Sequence, residues 1–224
     1  MIRKFGCLLA ALLIGVLTEA TADAGFDYGF TDFTHNNATN EAIGEAQLKL
    51  TVSDAGAGKV SFQFSNTGPS QSAITGIYFD DRATGGLFAT NAATIQNGTG
   101  TSFYNATSGN LSGGNGVGFS ATRRALANTP TTTNGTNPGE SVGMTLTLAG
   151  GRAFNDVITT LQSTALRIGI RMSGFAITGG ESFLNNATAT APPPVVPEPS
   201  SMLLLGTALV GLVVSRRRFA RDAS

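Results

Sequence analysis

Several short stretches of this 224-residue chain alternate between hydrophobic and polar positions with a period of two. In "AQLKLTV", which starts at Ala46, Leu48, Leu50 and Val52 fall on one side and Gln47, Lys49 and Thr51 on the other. That spacing is the signature of a half-buried strand. The Gly-rich "SDAGAGK" follows, and "VSFQFSN" then alternates again with Val60, Phe62 and Phe64 inward, which predicts an antiparallel hairpin. After a turn containing Gly68-Pro69, "AITGIYF" (73–79) is rich in β-branched and aromatic residues and predicts a third strand. "GVGFSAT" (116–122) and "SVGMTLTL" (141–148) predict two more, the second with Val142, Met144, Leu146 and Leu148 in phase. Between them "ANTPTTTNGTNPGE" reads as a surface loop, and the Gly/Asn/Ser/Thr-dense stretch 96–116 as loops with at most one short strand.

Within "AFNDVITTLQSTALRIGIRMSGF" the period changes. Phe154, Val157, Ile158 and Leu161 have the i, i+3, i+4, i+7 spacing of an amphipathic helix, whereas Leu166, Ile168, Ile170 and Met172 alternate with Arg167, Gly169 and Arg171. One short helix feeding a strand is therefore expected. The whole pattern predicts a mainly β domain over 25–184, a β-sandwich of the jelly-roll or Ig-like kind with one short helix. The 29 glycines and the 12% share of charged residues suit strands joined by polar turns rather than a helical bundle.

The two ends read differently. Arg3 and Lys4 precede an apolar run from Phe5 to Leu17, and small residues then end in Ala22-Asp23-Ala24. This is the layout of a secretory signal peptide over 1–24, with cleavage expected after Ala24 or, second, after Ala22. Cleavage would remove Cys7, the single cysteine, and with it any disulfide, thiolate metal site or cysteine nucleophile. At the other end, "NNATATAPPPVVPEP" (185–199) reads as a Pro-rich extended linker. An uncharged apolar segment (200–215) and a basic tail (216–224) follow. As a helix the apolar segment reaches roughly 20 to 24 Å, against an apolar slab of ~30 Å. Arg216, Arg217, Arg218 and Arg221 behind it satisfy the positive-inside rule, so the tail is expected in the cytoplasm and the body on the opposite side of the inner membrane.

The order Pro197-Glu198-Pro199, apolar helix, arginine cluster resembles the PEP-CTERM sorting tail of Gram-negative bacterial surface proteins. The resemblance implies that the tail is a recognition signal for exosortase, a membrane-embedded cysteine transpeptidase-like enzyme. It also implies that the protein passes transiently through inner-membrane lipid to the cell surface or matrix, in the company of exopolysaccharide production. Pro197, Glu198 and Pro199 would then be the sorting motif, with cleavage near the junction with the helix. "VSFQFSNTGPSQSAITGIYFDD" and "ALRIGIRMSGFAITGGESFLNN" are similar to segments of exported domains of that class whose activity is unassigned.

Little in the body points to catalysis. Between Gly25 and Pro199, eight basic residues stand against eleven acidic ones, a net of −3, which gives no electrostatic reason to bind nucleic acid. The single histidine, His35, lies in a polar stretch without a nucleophile elbow and reads as a surface residue. Zinc has neither cysteines nor a second histidine to draw on, and no cofactor is expected. The glycines of "SGGNGVG" lack the strand-to-helix context and lysine of a phosphate cradle. Asp80-Asp81 at a strand end could supply oxygen ligands to calcium, with Asp27, Asp32 or Glu181 brought near by the fold. The expectation is a non-enzymatic, exosortase-processed surface protein associated with exopolysaccharide or biofilm. The rivals are a carbohydrate-active enzyme using a close acid pair and a permanently anchored carbohydrate-binding module that exposes Tyr78, Phe103 or Tyr104 in a row.

Overall fold

The computed structural model describes residues 25–89 and 92–190. The expected signal segment with Ala22 and Ala24, the later part of the linker, Pro197-Glu198-Pro199, the apolar segment and Arg216, Arg217, Arg218 and Arg221 lie outside the described residues. The described chain runs β1 (Phe26–Asp32), α1 (Ala38–Gln47), β2 (Leu48–Asp54), β3 (Lys59–Asn66), β4 (Ala73–Asp80), β5 (Thr94–Asn97), β6 (Phe103–Asn105), β7 (Arg123–Ala127), β8 (Ser141–Thr147), α2 (Phe154–Gln162), β9 (Arg167–Ser173) and β10 (Glu181–Thr190). Among the described residues no helix is long and apolar enough to cross a membrane.

All ten strands join one antiparallel sheet in the order β5-β8-β3-β2-β1-β10-β9-β4-β7-β6. The hairpin β2/β3 is in the expected register, with Leu50 opposite Phe64 and Val52 opposite Phe62, and these four side chains are fully buried. The sheet curls until its two halves face each other. Phe62 on β3 meets Phe79 on β4 edge to face, with ring centroids 5.1 Å apart, although the two strands lie far apart in the sheet order. Phe64 and Phe88 complete the aromatic centre. Each such side chain contributes about 1.5–3 kcal/mol by leaving water, and edge-to-face geometry suits the ring quadrupoles.

The curl nearly closes into a barrel. Its edge strands β5 and β6 are clasped by side chains: Phe103 N–H donates to Asn97 Oδ1 (2.7 Å) and Asn97 Nδ2 donates to the Phe103 carbonyl (3.3 Å). Asn105 Nδ2 donates to the Ala93 carbonyl (2.8 Å) beside them. Amide side chains thus satisfy backbone groups that an open edge would leave to solvent or to another chain.

The mainly β reading holds, but the two-sheet sandwich gives way to one continuous sheet. The physical reason is β1 and β10, which lie side by side and join the halves, β1 to β2 and β10 to β9. Strand β10 continues through Thr190, so residues 185–190, expected in the linker, pair with β1 instead. "GVGFSAT" is not a strand: Gly114–Val117 form a 3-10 turn between Gly113 and Gly118, whose φ values of +75° and +64° no extended strand accommodates. The stretch 96–116 contains β6 and the end of β5.

α2 forms where the i, i+3, i+4 pattern placed it, burying Val157, Ile158 and Leu161, and Asp156 Oδ2 accepts the Ala153 N–H (2.9 Å) ahead of its first turn. α1 is a second helix, against the single one expected. Asn37 caps it by accepting the N–H groups of Thr39 and Asn40. Its buried face is Asn40, Gly44 and Gln47, with Gly44 against the Phe183 ring of β10 and Gln47 donating to Asn66 Oδ1 (2.9 Å).

Candidate functional site

Asp80 and Asp81 end β4, where the sequence placed candidate cation ligands. Asp80 Oδ1 accepts from Arg82 Nε (2.8 Å), and its Oδ2 from Arg82 Nη2 (3.0 Å), the Ser120 N–H (3.1 Å) and Arg167 Nη2 (2.6 Å). Asp81 Oδ2 accepts from Arg123, which also donates to the Ala89 carbonyl. Burial disfavours ionisation of Asp80, but the hydrogen bonds from Arg82, Ser120 and Arg167 outweigh it and hold its carboxyl far below the usual range. Three guanidinium groups therefore stand at these two carboxylates. They tie β4, β7 and β9 to the loop before β7, Arg82 and Arg167 both donating to the Gly118 carbonyl. Asp27 is also paired, with Lys49 at 2.9 Å and the Thr51 hydroxyl at 2.6 Å.

The other two acids named with them come together. Asp32 ends β1 and Glu181 begins β10, and they are 3% and 0% exposed. Thr34 Oγ1 lies 3.0 Å from Asp32 Oδ1 and 2.7 Å from Glu181 Oε2, while itself accepting the Ser182 N–H (2.9 Å). A hydroxyl has one proton to give, and here two carboxylates compete for it. Asn36 donates through its backbone (3.1 Å) and its Nδ2 (3.0 Å) to Glu181 Oε2, whereas the buried Glu181 Oε1 has no hydrogen-bond partner among the described residues. Asp32 Oδ2 accepts the His35 N–H, and the Asp32 N–H donates to Glu45 Oε1 (3.0 Å).

His35 sits at the mouth of this nest in the left-handed region (φ +49°), its side chain 63% exposed. Its Nδ1 is 3.2 Å from Glu41 Oε2 and 3.4 Å from Asp32 Oδ2. The hydrogen bond to Glu41 raises its pKa, desolvation works against it, and the charges of Glu41, Asp32 and Glu181 add to the rise. Asp32 moves up as well, chiefly through burial; hydrogen bonds from His35 and Thr34 offset part of this, and the charge of Glu181 adds to it. Ligand atoms of Asp32, His35 and Glu41 lie within 4.8 Å of one another. The surface reading of His35 fits its exposure but misses these neighbours, because α1 and β10, which supply them, were not foreseen.

The aromatic row does not form. Tyr78 and Phe103 are buried and only Tyr104 of the three is exposed. A cavity of about 420 Å³ is lined by Asp81, Asn105, Thr107, Thr122, Arg123 and Arg124, without Tyr104.

Comparison with known proteins bears on the far end of the chain. Residues 195–218 match the family described as the PEP-CTERM protein-sorting motif. Neither the curated proteins nor the solved structures returned a match to the chain.

Proposed function

Proceeding from the sorting motif at residues 195–218, which marks an exported protein sorted by exosortase, we propose that the chain is a non-enzymatic surface protein whose β domain is the delivered cargo. The match carries this reading. Its surroundings agree: the basic cluster Arg216, Arg217, Arg218 and Arg221 follows the apolar segment, and the signal-peptide layout precedes the domain. The last strand ends at Thr190, a few residues before the matched segment, and leaves a short Pro-rich tether for the processing enzyme. After processing, the domain resides at the cell surface or in the exopolysaccharide matrix, as the sorting system's association implies.

Two observations favour a non-catalytic body. The close acid pair Asp32/Glu181 is covered, at 3% and 0% exposure, so a glycosidic bond cannot reach between the carboxylates without displacing the segment around Thr34 and Asn36. The second acid pair, Asp80/Asp81, is held by arginines.

Intact-mass analysis of the protein recovered from envelope and medium, with and without exosortase, tests the proposal. The expected mature species lacks Arg216 to Ser224 when the enzyme is present and retains them when it is absent. A mature species that keeps those residues in the presence of the enzyme overturns it.

A further inference from the structure

We propose that the cavity lined by Arg123 and Arg124 of β7 binds a sugar carboxylate, a uronate, with the Arg124 guanidinium as the group that holds the anion. The site belongs to the folded domain and does not rest on the sorting reading. The two arginines are neighbours in sequence with different surroundings. Arg123 is neutralised within the fold: Asp81 accepts from it, the Ala89 carbonyl accepts a second bond (2.8 Å), and its guanidinium lies 5.3 Å from the Phe88 ring centroid. Arg124 has no carboxylate partner among the described residues. Its Nη2 donates to the Ala121 carbonyl, and its buried Nε has no acceptor. A half-buried guanidinium in this state carries an uncompensated charge, which a bound anion would neutralise.

The rest of the lining says which anion fits. Its charged groups are the two arginines and Asp81, which together leave a single positive charge. That balance suits a monoanion, whereas a dianion such as phosphate would meet the Asp81 carboxylate. The planar guanidinium fork matches a carboxylate in shape as well as in charge. Asn105 Nδ2 donates to the Ala93 carbonyl (2.8 Å) and the Thr122 hydroxyl to the Phe79 carbonyl (2.9 Å). Both side chains are thereby fixed, and their oxygens remain as acceptors for ligand hydroxyls. A volume of about 420 Å³ is that of a small-ligand cleft and admits one sugar unit. One carboxylate together with several hydroxyls, on a body of that size, describes a uronate.

Saturation-transfer NMR on the full-length chain in detergent provides the test, with sodium glucuronate as the probe and glucose and inorganic phosphate for comparison. Saturable binding of glucuronate is expected, with glucose and phosphate each weaker by on the order of tenfold or more. Arg124→Gln should weaken glucuronate binding by a similar factor. Thr107→Asp, which adds a carboxylate to an exposed part of the lining, should abolish it. Lys59→Gln, at the start of β3 and outside the lining, removes the same charge elsewhere and should bind like the parent. The proposal is overturned if the parent shows no saturable glucuronate binding, or if glucose or phosphate binds as tightly. Parental affinity in Arg124→Gln also overturns it, as does an equal loss in Lys59→Gln. Should Arg124→Gln fail to fold by circular dichroism, Thr107→Asp decides, and parental affinity there overturns the proposal. Every measurement uses the unprocessed chain, so failure here leaves the outcome of the intact-mass experiment untouched.

Discussion

Asp80 and Arg167 are register partners across β4 and β9, and their side chains meet at 2.6 Å with the carboxylate almost wholly buried. Arg82 completes the grip on the same carboxylate. Removing the anion would leave two guanidinium groups facing one another without a counter-charge. Asp80→Asn is therefore expected to lower unfolding free energy by about 1.5–3 kcal/mol in urea titration at neutral pH. The carboxyl is held below its ordinary pKa, so its stabilisation is full above about pH 4 and fades as the pH falls toward its folded-state value. A steep loss of stability below about pH 4 in the parent, and a shallower one in Asp80→Asn, is the expected pair of curves.

Asn97 closes the gap between the two sheet edges by bonding both backbone groups of Phe103. Asn97→Ala is expected to cost about 1–3 kcal/mol. It should also accelerate hydrogen exchange at the Phe103 amide, leaving amides of the β2/β3 hairpin protected. Unchanged exchange at Phe103 would mean that the clasp does not hold the edges.

Gly44 lets α1 lie directly on β10. A Cβ there would stand 2.1 to 2.8 Å from three atoms of the Phe183 ring, which is fully buried and cannot swing aside. Alanine is the better helix former by ~1 kcal/mol, yet overpacking of this kind costs about 1–3 kcal/mol. The expected result is a lower melting temperature for Gly44→Ala, and a higher one would refute the docking.

A chain ending after Thr190 should fold with near-parental denaturant stability, whereas one ending after Leu184 should not. The shorter chain loses the ladder from Asn185 to Thr190 against β1, and with it the hydrogen bond from the Ile168 N–H to Asn185 Oδ1 (2.7 Å). Urea titration of the two truncations distinguishes them.

The strands with an apolar inner face, β2, β3, β8 and β9, could be read directly because Leu50, Phe62, Met144 and Ile170 recur at every second position. Other elements are held by interactions that hydropathy does not register. In β1 the inward positions Tyr28 and Phe30 are followed by a buried carboxylate, Asp32, where an apolar residue would have continued the pattern. The outer half of β10, "NNATAT", is polar and half exposed and is stabilised by its backbone ladder, so composition alone made it a linker. α1 buries a glycine and two amides instead of an apolar stripe. The acidic nest was hidden for the same reason. Thr34 and Glu181 are 147 positions apart, and only the unforeseen pairing of β1 with β10 makes them neighbours.

That pairing also orients the molecule. Asp27 and Thr190 are partners, so the described chain enters and leaves at one pole of the sheet. Asp32 and Glu181 lie at the opposite end of the same two strands, Asp32 ~16 Å from Asp27 along β1 at ~3.3 Å per residue. The entry and exit of the described chain are thus gathered at one pole, and the Asp32–Glu181 pair occupies the pole farthest from them.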